Sequence, residues 1–213
     1  MFGEEFLQRA ILAAPAIFFA LTVHEYFHAW TALRFGDTTA RDMGRLTLNP
    51  LAHIDPMGLI MMFVSQFRFG WAKPVPVNLF NVRHPRVASF WVSAAGPLSN
   101  LAMGLVFGML FRLVLSGGLS LPDMVGEFLV MFLYTSVMIN VSLFFFNMIP
   151  LFPLDGSHIL RSIMPEEHGS LFDRLDRISP FILLILIITG GFWFVLGPFI
   201  SMFVYLFAGI HVG

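Results

Sequence analysis

Long apolar runs separated by shorter polar stretches make up most of this chain. The long runs cover residues 10–33, 87–115, 128–148 and 181–210. A helix that crosses a bilayer needs about 20 apolar residues, so each run is long enough to span. The last run is interrupted at Gly190-Gly191 and Gly197-Pro198, which fits either one kinked helix or a tight pair. The pattern predicts an all-α polytopic membrane protein, a bundle of about four to six transmembrane helices.

The region after the first run contains an apolar piece that is too short to span. Residues 58–67 are apolar, but their number is only about half of what a spanning helix needs. The next piece, residues 70–78, contains Pro74 and Pro76, which exclude a helix and remove backbone donors from one edge. We therefore predict a short extended or re-entrant segment near residues 57–80. Its edge is suited to pairing with an extended peptide, although a plain interfacial loop fits as well.

A second proline-rich piece follows the third run. Pro150 and Pro153 do not fit inside a regular helix, which predicts an unwound backbone from Pro150 to Gly156. This leaves Asp155 on a turn beside an apolar helix. An acidic residue at such a place is expected to be functional, because an ionised group in lipid is costly unless it has a partner.

Composition narrows the class of protein. Hydrophobic residues make up 57% of the 213 residues and charged residues only 12%, about half the charged share of an ordinary soluble domain. The lipid bilayer is therefore the expected environment. A net charge of −1 without a basic stripe argues against a nucleic-acid partner. The chain has no Cys, so a metal site must use histidines and carboxylates.

The basic residues predict an orientation. If the first helix runs inward, ten of the twelve Lys and Arg residues fall on the cytoplasmic side, and only Arg9 and Arg112 fall outside. This is the bias that the positive-inside rule describes. It predicts that His28 and Asp155 lie toward the cytoplasmic half of the membrane.

The first run carries the candidate chemistry, His24, Glu25 and His28 in the sequence H-E-Y-F-H. Residues four apart lie on one face of a helix, so both imidazoles can bind one metal ion. Glu25 points about 100° away, which suits a carboxylate that takes a proton from the attacking water and passes it to a leaving amine. Histidines that only pack at a helix end are the alternative. The motif favours a zinc hydrolase.

A catalytic zinc site usually has three protein ligands and one open position. No Glu occurs between Glu25 and Glu127, and the acids of the polar loop, Asp37, Asp42 and Asp55, reach the site only if that loop folds back. Asp155 is the better candidate for the third ligand, since it is expected on the same side of the membrane.

These motifs resemble the site-2 protease family of intramembrane zinc metalloproteases. His24, Glu25 and His28 match its H-E-x-x-H motif, and Gly96, Pro97 and Asn100 match its G-P-x-x-N element. A third motif, N-x-x-P-x-x-x-L-D-G, is matched by Asn147, Pro150, Leu154, Asp155 and Gly156. The resemblance covers about residues 10–160. It is to a compact form, because the PDZ insert or pair of nucleotide-sensing domains that many members carry is not recognised in this sequence.

The resemblance implies one Zn2+ per chain, bound by His24, His28 and Asp155, with Glu25 as the general base. It also implies that the substrates are transmembrane segments of other proteins. Asn147 would hold the substrate peptide or its developing oxyanion, with capping of a helix end as the alternative. We expect one transmembrane metalloprotease domain over 1–213, with a core at 10–160 and a C-terminal helix or helix pair at 180–210.

Three other polar residues have weaker assignments. Asn100 is expected to join helices, with substrate or oxyanion binding as the alternative. His158, three residues after Asp155, is a candidate to orient that carboxylate. His53 is expected to be a turn residue bonded to Asp55, with an accessory metal ligand or an inhibitor of the resting site as the alternatives.

Two rival functions remain at this point. A zinc transporter or other metal-binding membrane protein would also place His and Asp within the membrane, but it should repeat them on several helices. An inactive relative would bind membrane helices without cutting them. The absence of an organelle signal favours a prokaryotic plasma membrane.

Overall fold

The computed structural model describes residues 3–67, 69–118 and 122–210. Within these ranges the chain forms eight α-helices: α1 (Glu4–Arg34), α2 (Thr39–Asp42), α3 (Pro56–Val64), α4 (Pro85–Leu115), α5 (Asp123–Asn147), α6 (Asp155–Ile163), α7 (Gly169–Ile188) and α8 (Gly191–Ala208). Helices α1, α4, α5 and α8 are long and apolar enough to cross a membrane. The predicted all-α polytopic fold is confirmed, with a number of spans at the lower end of the expected range.

Helix α4 lies at the centre of the bundle and contacts α1, α5, α6 and α8. Glycine allows its close approach to α8, since a Cβ atom at Gly108 would lie only 2.8 Å from backbone atoms of Phe207. Gly104, one turn earlier, faces Val141 of α5 and the Phe207 ring. A buried apolar cluster fills this three-helix contact, and its members are Phe111, Leu133, Val137, Val141, Ile200, Val204, Phe207 and Ala208.

The short helix α3 and the extended residues after it form the segment that was predicted near residues 57–80. Asp55 caps α3, because its Oδ1 accepts hydrogen bonds from the N–H groups of Met57 and Gly58, both at 2.9 Å. The chain then turns back, and Ala72 pairs with Ile54 in an isolated antiparallel bridge. A side chain at Gly58 would collide with the Trp71 carbonyl, at 2.1 Å from its oxygen. The prediction for residues 57–80 is confirmed.

The unwound segment after α5 is shorter than predicted. It ends at Leu154, and α6 begins at Asp155. Asp155 is therefore the first residue of a helix and does not lie in the irregular connection. A carboxylate is favoured there, since the first N–H groups of a helix carry partial positive charge. Gly156 is required by the tight connection, because a Cβ atom there would lie 2.4 Å from the carbonyl oxygens of Met148 and Ile149.

The last apolar run is a pair of helices. Helices α7 and α8 meet at Gly190, whose φ of +71° is the left-handed conformation that glycine adopts without strain. The first half of α7 is charged, with Asp173, Arg174, Asp176 and Arg177. For that reason α7 is not among the four candidate spans of the described chain.

Candidate metal centre

Two buried imidazoles and one carboxylate converge between α1 and α6. His24 and His28 are exposed by only 5% and 7%, and their Nε2 atoms lie 2.9 Å apart. The Asp155 Oδ2 atom lies 3.2 Å from Nε2 of His24 and 3.4 Å from Nε2 of His28. In the described ranges these three side chains form a group able to hold a metal ion. The structure therefore brings together the three residues that the sequence nominated as ligands.

Hydrogen bonds assign the ring tautomers. His28 Nδ1 lies 2.7 Å from the Val92 carbonyl oxygen, so this nitrogen carries the proton and donates it. His24 Nδ1 lies 2.6 Å from Asn100 Oδ1 and donates in the same way. With both Nδ1 atoms protonated, each Nε2 atom of a neutral ring presents a lone pair to the shared space.

This arrangement fits a metal ion. Two nitrogen lone pairs and a carboxylate oxygen that face one another repel unless a cation or an added proton lies between them. A tetrahedral ion that binds its ligands at about 2.0–2.1 Å places the ligand atoms about 3.3 Å apart. The observed separations of 2.9, 3.2 and 3.4 Å lie around that value. The donor set, two imidazoles and one carboxylate, suits a hydrolytic divalent cation with one position left open.

Electrostatics keep Asp155 ionised, as a metal ligand must be. Burial alone would raise the pKa of this carboxyl group. When an added proton and not a cation lies among the three groups, the positive charge of protonated His28 and the hydrogen bonds that the imidazoles then donate outweigh burial, and they hold the pKa of Asp155 well below its usual range.

Gly96 of α4 makes room for the two rings. A Cβ atom there would lie 2.3 Å from Nε2 of His28 and 2.7 Å from Cε1 of His24. Such distances are far below van der Waals contact. Gly96 belongs to the G-P-x-x-N element of the sequence, and the structure shows its steric role.

Glu25 lies beside the three ligand candidates without belonging to the group. Its side chain is 9% exposed, and its Oε2 atom accepts a hydrogen bond of 2.7 Å from the backbone N–H of Val75. Val75 belongs to the extended segment at residues 70–78. A carboxylate is therefore fixed next to the imidazole pair and apart from the ligand set.

Asn100 links neighbouring helices. It is fully buried, and its Nδ2 atom donates to the Ala20 carbonyl at 3.2 Å and to Asn140 Oδ1 at 3.0 Å. Its Oδ1 atom accepts from His24. Both amide hydrogens are thus used within the described chain, so the alternative of Asn100 as a direct oxyanion donor is not supported.

Two partners of the site were not identified from the sequence. Asn140 of α5 is fully buried, accepts from Asn100 and donates to the Ser136 carbonyl at 2.9 Å, so it fixes the amide that orients His24. A polar residue within an apolar run was the available signal. The Val92 carbonyl, which orients His28, has no signal in the sequence because every residue has a carbonyl.

Two weaker candidates have other partners. Asn147, at the end of α5, donates to the Leu143 carbonyl at 3.0 Å, as a helix-end residue does, and its contact with substrate stays a prediction. His158 is exposed and its ring lies against Phe152 at 6.2 Å; among the described residues it makes no hydrogen bond to Asp155, because α6 turns it outward.

The expectation for His53 is wrong. This residue is only 2% exposed and bonds through Nε2 to the Thr47 carbonyl at 2.9 Å, and not to Asp55. Asp55 instead caps α3. In the described chain His53 is not part of the metal-binding group.

Comparison with known proteins points to one family. The family description "Peptidase family M50" matches residues 12–190. YwhC of Bacillus subtilis, whose name describes it as a candidate zinc metalloprotease, is 37% identical over 182 residues, which cover 85% of this chain and 82% of YwhC. Rip2 of Mycolicibacterium smegmatis, named in the same terms, is 33% identical over 102 residues, covering 45% of this chain and 38% of Rip2.

A more distant relative is the zinc metalloprotease MJ0392 of Methanocaldococcus jannaschii. It is 25% identical over 158 residues, which cover 73% of this chain and 35% of MJ0392. No solved structure matches the sequence. The chain belongs to peptidase family M50, the site-2 protease family, and is an integral membrane protein of the metalloprotease class.

Proposed function

We propose that this protein is an intramembrane zinc metalloprotease that hydrolyses peptide bonds within transmembrane segments of other membrane proteins, as in regulated intramembrane proteolysis. The observation that carries the proposal is the meeting of His24, His28 and Asp155 within 4.8 Å, beside a separate buried carboxylate, Glu25. Family membership and the names of the relatives support zinc as the ion.

His24, His28 and Asp155 would hold one zinc ion per chain. When bound, zinc supplies Lewis acidity and makes a hydroxide nucleophile available near neutral pH. Glu25 accepts the proton of the attacking water and returns it to the amine that leaves. The Asn100 and Val92 oxygens keep the imidazole rings in place during this exchange. Asn147 is the candidate to contact the substrate backbone or its oxyanion.

An apolar cavity gives the substrate a place to bind. It has a volume of about 920 Å³ and is lined along α1 by residues that include Leu21 and Thr22 and along α5 by residues that include Ser142 and Leu143. Leu21 and Thr22 precede Glu25 by about one helical turn, so the cavity leads along α1 toward the carboxylate. We propose that an apolar transmembrane segment lies in this cavity and unwinds where it reaches Glu25.

The location follows from charge and topology. Four spanning helices put the polar loops around residues 37–84 and 157–177 at one end of the bundle, where the basic residues are concentrated. By the positive-inside rule we assign that end, together with the metal site, to the cytoplasmic half of a prokaryotic plasma membrane. The whole of 1–213 is proposed to act as one domain.

The substitution Glu25→Gln tests the chemistry. The amide keeps the size of the side chain but cannot accept and return a proton. We expect purified Glu25→Gln protein to retain zinc at the wild-type ratio and to lose 100- to 10,000-fold in cleavage of model transmembrane peptides, about the range that general acid–base catalysis supplies. Zinc is measured by mass spectrometry, and cleavage with and without a chelator.

The other outcomes identify the rival functions. Wild-type activity in Glu25→Gln protein would contradict the role of the carboxylate. Zinc flux into proteoliposomes that is equal in wild-type and Glu25→Gln protein, without cleavage, would indicate a transporter. Zinc binding with neither flux nor cleavage would indicate an inactive relative that binds membrane helices.

A further inference from the structure

Within the extended segment at residues 70–78, the part from Lys73 to Asn78 is held by hydrogen bonds at both ends. At its start, the Lys73 N–H donates to the His53 carbonyl at 2.8 Å, and the Lys73 carbonyl accepts from Arg45 Nη2 at 2.7 Å. At its end, the Asn78 N–H donates to Asp37 Oδ2 at 2.7 Å. Arg45 and Asp37 are both buried, at 8% and 1% exposure, so these anchors are shielded from water.

Between the anchors, the sequence leaves a single backbone donor next to Glu25. Pro74 and Pro76 have no N–H group, so Val75 carries the only N–H among residues 74–76. That N–H lies 2.7 Å from Glu25 Oε2. Among the described residues it is the only hydrogen bond that the Glu25 carboxylate makes.

A carboxylate that moves a proton must be held in one orientation. The Glu25 side chain has three rotatable bonds, and α1 alone fixes only its Cα and Cβ atoms. A charge-assisted hydrogen bond from a backbone N–H is stronger than a neutral one, and here the donor cannot rotate because its segment is fastened at both ends. The bond occupies one carboxylate oxygen and leaves the other for proton transfer.

We propose that the Val75 N–H is the group that positions Glu25 for catalysis. This inference rests on the proposed role of Glu25 as general base. It gives the Pro-Val-Pro sequence a specific role, which is to present one fixed donor to the base. The Val75 side chain does not contribute to this role, so only the loss of the N–H should matter.

Two proline substitutions separate positioning from a general effect of proline. Val75→Pro removes the donor to Glu25. Val77→Pro, two residues later, removes an N–H that has no hydrogen-bond acceptor among the described residues, and it measures the cost of a third proline in this segment. Val75→Ala removes the side chain and keeps the N–H.

We expect kcat to fall 10- to 100-fold further in Val75→Pro than in Val77→Pro, the size of effect that one hydrogen bond to a charged group supplies. KM should differ by less than about twofold between them, because positioning of the base acts in the transition state and not in substrate binding. Val75→Ala should stay close to wild type in kcat, and zinc content should be equal in all three variants. Equal kcat in the two proline variants, or a difference confined to KM, would overturn the proposal.

Hydrogen exchange tests the contact without any activity measurement, and it does not depend on the folding of a proline variant. In a peptide covering residues 73–78, the exchangeable backbone positions are few because of the two prolines. We expect Glu25→Ala to speed exchange at one amide of this peptide, since Val75 loses its acceptor, while Thr22→Ala on the preceding turn of α1 leaves the peptide unchanged. An unchanged peptide in Glu25→Ala would overturn the proposal.

The two hypotheses fail differently. Full activity of Glu25→Gln would remove the proposed function and with it the need to position the base. An inactive Glu25→Gln with equal proline variants would leave the protease in place and remove only the role of the Val75 N–H.

Discussion

Gly96 shows how strongly this site depends on residues that bind nothing themselves. Its hydrogen atom faces both imidazole rings, where any larger group would lie within 2.7 Å of ring atoms. Asn100 and Asn140 then fix the His24 ring through a chain of hydrogen bonds that ends at a backbone carbonyl of α5. The ligand geometry is therefore set by the neighbouring helices as much as by the ligands.

The substitution Gly96→Ala should disable metal binding. The added methyl group would push the imidazoles apart, and neither ring can retreat, because each Nδ1 atom is held by a hydrogen bond. We expect at least a tenfold loss of zinc affinity, measured by competition with a fluorescent chelator. Gly197→Ala is the control, since a Cβ atom at Gly197 meets no atom within 4 Å. Unchanged affinity in Gly96→Ala would contradict the observed packing.

Among individual residues, the sequence predicted those with unusual chemistry. His24, Glu25, His28 and Asp155 stand out because charged or metal-binding side chains are rare in apolar runs. Asn140 carries the same signal more weakly, since an amide in a membrane helix usually serves packing. The carbonyl of Val92 and the N–H of Val75 could not be predicted, because backbone partners are defined only by the fold.

The extended segment at residues 70–78 is joined to the first helix by Asp37, which lies just after the end of α1. One oxygen of Asp37 accepts from the Asn78 N–H, and the other accepts from Thr39 and from the Asn81 side chain. Burial alone would raise the pKa of Asp37, but these hydrogen bonds outweigh it and lower the pKa. The carboxylate thus joins the first helix to the segment that contacts Glu25.

This gives a pH-dependent prediction for Asp37→Asn. A carboxyl group whose pKa is lowered by folding stabilises the protein above its unfolded pKa of about 4, and the contribution is lost as the pH falls through the folded value. Asp37→Asn should therefore unfold a few degrees below wild type at pH 7, with the gap narrowing below about pH 4. Thermal unfolding in detergent measures this.

The exposed Glu127, in the second turn of α5, offers a matched control for that experiment. Glu127→Gln should unfold within about a degree of wild type at pH 7, because an exposed surface substitution away from the helix end has little effect. A gap between Asp37→Asn and wild type that is constant down to about pH 3 would contradict the role of the Asp37 charge.

The lengths of the apolar runs predicted the helices well where length alone decides whether a helix spans the membrane. Helices α1, α4 and α5 follow the apolar runs, and the short run at residues 58–67 became the nine-residue helix α3. Boundaries set by local chemistry were less predictable. The unwound segment ends at Leu154 because Asp155 is favourable in a first helical turn, and the helix pair at the C-terminus is set by a left-handed glycine, Gly190.

For the whole molecule, four spans bring both polar loops to the end of the bundle that holds the metal site. The site needs two distant parts of the chain to meet there, because α1 supplies His24 and His28 from the first span and α6 supplies Asp155 after the third span. Hydropathy and basic residues together were enough to predict this arrangement. The close meeting of His24, His28 and Asp155 required the packing of α4 between α1 and α6.

Cysteine labelling tests the orientation, and the chain is suited to it because it contains no Cys. Glu167→Cys and Ser116→Cys place single thiols at exposed positions at the two ends of the bundle. We expect a membrane-impermeant maleimide to label Glu167→Cys in inside-out vesicles and Ser116→Cys in right-side-out vesicles. The reverse pattern would place the site at the outer half of the membrane.

We propose that His24, His28 and Asp155 hold one zinc ion within the bundle. X-ray absorption at the zinc edge of purified protein measures the ligands directly. We expect one zinc per chain, with two imidazole nitrogens and light oxygen ligands at about 2.0–2.1 Å, and loss of the ion in Asp155→Ala protein. A first shell with three or more imidazoles, or an unchanged spectrum in Asp155→Ala protein, would contradict it.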